Sequence, residues 1–152
     1  MQKLGGTFTA LITPFDDQDQ LDEHGLRQNI RFQLDSGIDG IVVLGSTGET
    51  PCLSDHEKMR IIQISREETD NRAHLMVGTG SYSTQQTIKN TKQAKDLGAD
   101  SVLIVTPYYN KPTQEGIYLH FQKIANEVNI PIMIYHIPSR CMTNISIETM
   151  IR

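Results

Sequence analysis

The sequence predicts a parallel α/β fold assembled from repeated βα units, and three observations carry that reading. Apolar, β-branched runs recur at 7–14, 40–44, 75–78, 101–106 and 130–135, amphipathic stretches separate them, and one nine-residue passage returns two units later. The repeat pairs Asp35-Ser36-Gly37-Ile38-Asp39-Gly40-Ile41-Val42-Val43 with Asp96-Leu97-Gly98-Ala99-Asp100-Ser101-Val102-Leu103-Ile104. Each copy reads as a helix end, a glycine cap, an aspartate and then a strand. Strands this continuously apolar are buried on both faces, as in a parallel sheet covered by helices. An open doubly wound sheet and a (β/α)8 barrel both meet that description.

Each element has its own local reason. The first strand, 7–14, ends at Thr13-Pro14, where proline removes a ladder donor. Leu26, Ile30 and Leu34 then fall on one face of a helix that Gly37 closes in left-handed conformation. The second strand, 40–44, opens into Gly45-Ser46-Thr47-Gly48-Glu49. Ser54 with Glu57, and Ser83 with Gln86, stand at capping-box spacing and start the second and third helices. The third strand is 75–78, and Gly98 ends the helix that follows it. The fourth strand is 101–106. Ile117, Phe121, Ile124 and Val128 line one face of the fourth helix before the fifth strand, 130–135.

Composition excludes several classes. A net charge of −4 over 152 residues, with no basic cluster, argues against a nucleic-acid partner. The start, Met1 to Gly6, has no apolar signal core, and no run approaches the ~20 apolar residues of a membrane helix, so a cytoplasmic protein is expected. Cys52 and Cys141 fit no metal spacing and are read as reduced thiols, and the five histidines form no ligand pair, so no metal is implied. Gly78-Thr79-Gly80 lacks the third glycine of a dinucleotide fingerprint, and no cofactor is called for.

Polar residues gather where the strands end, which is where parallel βα folds build their sites. Strand two gives Gly45-Ser46-Thr47-Gly48-Glu49, two adjacent hydroxyls in a glycine-flanked turn suited to holding a small carboxylate or relaying a proton. The bland alternative is a helix-capping turn. Tyr108, Tyr109, Tyr135 and Arg140 at the other strand ends favour a functional site.

Taken together, Leu11-Ile12-Thr13-Pro14-Phe15, Gly45-Ser46-Thr47-Gly48-Glu49, Gly78-Thr79-Gly80, Thr106-Pro107-Tyr108-Tyr109-Asn110-Lys111-Pro112 and Tyr135-His136-Ile137-Pro138-Ser139-Arg140 resemble the dihydrodipicolinate synthases, in family order and over the whole chain. These are lysine-biosynthesis members of the pyruvate-dependent class I aldolase superfamily. The resemblance implies a (β/α)8 TIM barrel, present here as about five βα units, with 1–152 the N-terminal portion of a single barrel domain. It implies condensation of pyruvate with L-aspartate 4-semialdehyde through a Schiff base. Carried over by motif, Tyr135 moves protons, Ser46 and Tyr109 relay them, Thr47 holds the pyruvate carboxylate, and Arg140 binds the semialdehyde carboxylate. Tyr109 is lent to a neighbouring subunit of a homotetramer.

The departures sharpen this. Ser46 stands where threonine is commonest, keeping the hydroxyl. His136 replaces asparagine, and strand alternation points it away from Tyr135, so it reads as structural. Gln86 stands where lysine-inhibited relatives carry glutamate, which argues against lysine feedback. Sialic acid lyases share the hydroxyl turn but usually lack an arginine at position 140, so Arg140 favours the synthase. The family's Schiff-base lysine belongs to the sixth strand, beyond Arg152. Lys58, Lys89, Lys92, Lys95 and Lys123 fall on helices, where charge faces water, and Lys111 reads as a loop cation. Activity is therefore expected to need the remaining strands, from a complementing C-terminal half. A non-catalytic protein that binds pyruvate or a synthase subunit is the alternative.

Overall fold

The computed structural model describes residues 4–152. Five strands, β1 (Phe8–Ala10), β2 (Gly40–Val43), β3 (His74–Gly78), β4 (Ser101–Val105) and β5 (Ile132–Tyr135), form one sheet in the order β1-β2-β3-β4-β5, with every pairing parallel. Helices α1 (Glu23–Asp35), α2 (Asp55–Thr69), α3 (Thr84–Asp96) and α4 (Gln114–Glu127) connect them, and the short α5 (Pro138–Cys141) and α6 (Ile147–Ile151) follow β5. A doubly wound sheet reverses its strand order at a switch point. This sheet never reverses, so each βα unit advances one strand in the same direction, as in a (β/α)8 barrel.

The repeated aspartate is a register lock. Thr7 N donates to Asp39 Oδ2 at 2.7 Å while Asp39 N donates to Thr7 O at 3.2 Å. One repeat later Leu75 N donates to Asp100 Oδ2 at 2.8 Å and Asp100 N to Leu75 O at 2.9 Å. Each aspartate thus satisfies the first free N–H of the neighbouring strand as its own strand begins. The glycines ahead of them take φ of +80° and +92°, which the helix ends require.

Three local expectations change. The first strand is shorter than 7–14: Leu11 N still reaches Val42 O at 2.9 Å, but the chain then folds through an Asp16 turn and an isolated Phe15–Leu21 bridge. The Ser54–Glu57 capping box forms in both directions, whereas Ser83 accepts from Gln86 N and the Gln86 amide turns instead to Asn90 Oδ1 at 2.7 Å. The fifth strand starts at Ile132, because Pro131 has no N–H to donate.

The core lies between the helices and the outer face of the sheet. Ile41, Val43, Leu75, Val77, Val102 and Ile104 supply the strand side, and Leu26, Ile30, Ile61, Ile64, Ile88 and Ile124 the helix side, all buried. Arg27 and Arg31 of α1 both bond Glu68 of α2, and Arg60 bonds Glu23, fixing the first two helices to each other. The opposite face carries Leu103, Val105, Met133 and Tyr135 in register, and above it the polar strand ends converge. At the far edge of the sheet, Met133 and Ile134 are 42% and 43% exposed.

Candidate active site

The turn after β2 is held from two sides. Leu44 takes the left-handed region, φ +57°, at a cost of about 1–2 kcal/mol for a residue with a Cβ. Gly48 N then donates to Gly45 O at 3.1 Å, and a 3-10 turn at Thr50–Cys52 leads toward α2. Thr13 Oγ1, buried in the segment after β1, donates to Gly48 O at 2.7 Å, and Thr50 Oγ1 donates to Gly45 O at 3.1 Å. The backbone is thereby tied down while Ser46 and Thr47 stay exposed. Among the described residues, neither their hydroxyls nor their N–H groups have a partner. The cap of α2 is Ser54, so the turn is no capping device.

A buried threonine network fixes the end of β3. Thr79 Oγ1 meets Thr91 Oγ1 at 2.9 Å, Asn90 Nδ2 donates to Thr79 O at 3.2 Å, and Ser81 N donates to Thr87 Oγ1 at 3.0 Å. These bonds hold the loop that carries Tyr82, whose ring meets Tyr108 edge-on with centroids 5.5 Å apart. Burial pushes the Tyr108 phenol above its ordinary pKa, with Tyr82 and Cys141 adding to the shift, so it stays protonated.

A cleft of about 640 Å³ opens over the inner face, and Ser46, Lys58, Tyr82, Tyr108, Tyr135 and Arg140 line it. Tyr135 ends β5, where its carbonyl accepts from Thr106 N at 3.0 Å, and Arg140 sits on α5. Ser46, Tyr135 and Arg140 therefore share one cavity. Thr47 lies beside it in the same turn, exposed but outside the lining. Tyr109 points away, 86% exposed, with φ +67°. His136 is outside the cleft, and its Nε2 accepts from Ile145 N at 3.3 Å, in keeping with a structural role.

Lys58 corrects an expectation. Its first-turn position on α2 puts it half-buried on the cleft wall rather than out in water, because helix N-termini share a rim with strand C-termini. Its place four residues after the Ser54 cap was the available signal. Neither Lys58 nor Arg140 has an ion pair among the described residues, and Asp55, the carboxylate that also lines the cleft, is paired with Lys89 at 3.4 Å, so the two cations of the lining are left without a partner. Cys141 also lines it, and burial pushes its thiol above the ordinary range, which makes it a poor nucleophile. Tyr82 is a further residue of the cleft that no sequence motif singled out, and Thr13, read from the sequence only as part of a strand-end motif, supports the turn through its bond to Gly48. Among the described residues no three His, Cys, Asp or Glu side chains group to hold a metal, and no helix is long and apolar enough to cross a membrane.

A cationic cleft with free hydroxyls at the strand ends of a parallel sheet suits small carboxylates. Comparison with known proteins gives the lineage: the model of the Dihydrodipicolinate synthetase family matches residues 3–152. The chain belongs to this family. It is 56% identical over 149 residues to the 4-hydroxy-tetrahydrodipicolinate synthase of Protochlamydia amoebophila, covering 98% of this chain and 50% of that protein. The solved 4-hydroxy-tetrahydrodipicolinate synthase of Methylacidiphilum fumariolicum SolV superposes with a TM-score of 0.95 at 43% identity, covering 97% of this chain and 49% of that one. CdNal from Clostridium difficile, solved in complex with mannosamine, matches at 35% identity with a TM-score of 0.93, over 98% of this chain and 52% of its own. The chain spans about half the length of the curated relatives it matches. Family membership and the unreversed strand order together make the sheet a five-unit portion of a TIM barrel.

Proposed function

We propose that this chain supplies the N-terminal half of a barrel that condenses pyruvate with L-aspartate 4-semialdehyde to 4-hydroxy-tetrahydrodipicolinate. The observation that carries the reading is the turn at Ser46-Thr47, whose hydroxyls and N–H groups are free and whose Ser46 lines one cleft with Tyr135 and Arg140, Thr47 lying beside it. Thr47 holds the pyruvate carboxylate through its hydroxyl and N–H. Tyr135 gives and takes the proton that must move as an amine adds to the pyruvate carbonyl and water leaves. Ser46 passes that proton on, and Tyr109 completes the relay from a neighbouring subunit. The exposure of Tyr109 and its left-handed backbone support such a loan. Arg140 engages the semialdehyde carboxylate with its planar fork, which favours this reaction over a sialic acid lyase.

The Schiff-base amine comes from the sixth strand of the complete barrel. Lys58 lines the cleft but stands on a helix rather than at a strand end, where the family's Schiff-base amine is expected. Pyruvate titrated into the chain is expected to move the Ser46 and Thr47 amide signals, and Thr47→Val to abolish the response. Borohydride added to the mixture is expected to give no mass gain. A stoichiometric reduced adduct would overturn the assignment of the amine, and silent Ser46 and Thr47 amides would overturn the role of the turn.

A further inference from the structure

We infer that Leu44 and Gly78 act together as positioning residues for the Ser46-Thr47 turn. What they position rests on the pyruvate reading above; how they do so rests on backbone geometry alone. Leu44 is 5% exposed, so its side chain is anchored, yet its backbone is left-handed at φ +57°. That conformation lays its carbonyl directly over Gly78 of the adjacent strand. A Cβ built at Gly78 would collide with Leu44 O and would stand 3.1 Å from Gly45 N. Both obstacles are backbone, so no rotamer change relieves them.

The opposite flank has a matching contact. Gly48 packs against the segment that follows β1, where a Cβ would meet Leu11 O at 3.2 Å and Thr13 Oγ1 at 3.3 Å. The turn is therefore gripped at Leu44 from the β3 side and at Gly48 from the β1 side. Only Gly45, Ser46 and Thr47 lie between the grips, and two of these are the residues with unpartnered hydroxyls. Gly80 repeats the device one step along, where a Cβ would stand 2.6 Å from Val105 N. The glycines of Gly78-Thr79-Gly80 thus serve close backbone approach between strand ends. Neither Gly78 nor Gly80 needs positive φ, so conformational freedom does not explain them.

The consequence is a turn whose place is set before any ligand arrives. A side chain at Gly78 must push the Leu44–Gly45 peptide by about 1 Å or more, a displacement that costs up to about 100-fold when it misplaces reacting groups. For simple carboxylate binding a loss of about tenfold is expected.

The test uses the chain itself, with pyruvate as probe, in four variants. Gly78→Ala and Leu44→Ala are expected to shift the Gly45, Ser46 and Thr47 amides without ligand and to weaken pyruvate about tenfold. Leu44→Met, which keeps the buried anchor, should retain wild-type shifts and affinity. Ile124→Ala, a remote core change, should lower the urea midpoint and leave affinity per folded molecule intact. Wild-type affinity in both Gly78→Ala and Leu44→Ala, or equal weakening in Ile124→Ala, would overturn the inference. A wild-type chain indifferent to pyruvate, in which Gly78→Ala still moves these amides, supports the positioning and sinks the pyruvate reading instead.

Discussion

Lowering the pH from 8 to 5 is expected to destabilise the chain by about 2 kcal/mol through one side chain, His120. It lies on α4 at 5% exposure, with Nδ1 2.9 Å from Thr84 Oγ1 of α3 and the Phe121 ring edge-on at 5.1 Å. Its Nε2 has no partner. Burial alone pushes its pKa down to about 4 from an ordinary 6.5. A histidine depressed in this way binds its proton more readily unfolded, so stability falls as pH drops through 6.5 and levels off below about 4. At ~1.4 kcal/mol per pH unit the full loss is about 3 kcal/mol, of which about 2 is reached by pH 5. With a urea slope of about 2 kcal/mol per molar, the midpoint should move by roughly 1 M. His120→Leu should remove that part of the pH dependence, leaving the other titrating groups in common. Glu23, Glu57 and Glu68, whose pKa values are lowered by hydrogen bonds, lose their stabilising effect only as pH falls below the ordinary carboxylate range. Parallel curves for wild type and His120→Leu between pH 7 and 5 would refute the reasoning.

Two further substitutions probe the frame around the site. Glu68→Gln removes the charge that Arg27 and Arg31 share and is expected to cost about 2 kcal/mol in urea denaturation; the figure is held below that of a fully buried pair because Arg31 is 58% exposed. A loss under about 0.5 kcal/mol would show that the two arginines gain nothing from it. Gly37→Ala and Gly98→Ala both force alanine to positive φ, costing about 1 kcal/mol each. At Gly98 the new methyl also meets Arg66 Cδ at 2.8 Å and dislodges its bonds to Gly98 O and Asp100, whereas Gly37 has open space. Gly98→Ala should therefore lose about 1 kcal/mol more, read as a lower thermal midpoint, and equal losses would contradict the packing argument.

The parts of this fold that were legible in the sequence are those set by short-range rules. Spacing alone placed Leu26, Ile30, Ile117 and Ile124 in the core, and Gly37 and Gly98 at left-handed helix ends. The gathering of polar residues past the strand ends was legible too, in that Ser46, Tyr135 and Arg140 line one cavity. What escaped depends on partners far along the chain. Thr13 matters through Gly48, 35 residues away, and His120 through Thr84, 36 residues away. Lys58 was misplaced because a rule about charged helix residues ignores which end of the helix meets the sheet. The Gln86 half of its capping box failed because Asn90, one turn on, competes for the same amide.

The electrostatics follow from where the ion pairs are spent. The chain carries a net negative charge, so an anionic ligand would meet overall repulsion at long range. Yet the helix cations Arg27, Arg31, Arg60, Arg66, Lys89 and Lys92 are each matched to a carboxylate. Such exposed pairs add little stability individually, but they cancel the field that those cations would otherwise project. The cations left without a partner at the cleft are Lys58 and Arg140, and the free N–H of Ser46 adds a partial positive charge there. Low-dielectric walls concentrate their field along the opening. Attraction for a carboxylate is thereby local to the strand ends, which lets an acidic chain attract a small anion without a basic surface.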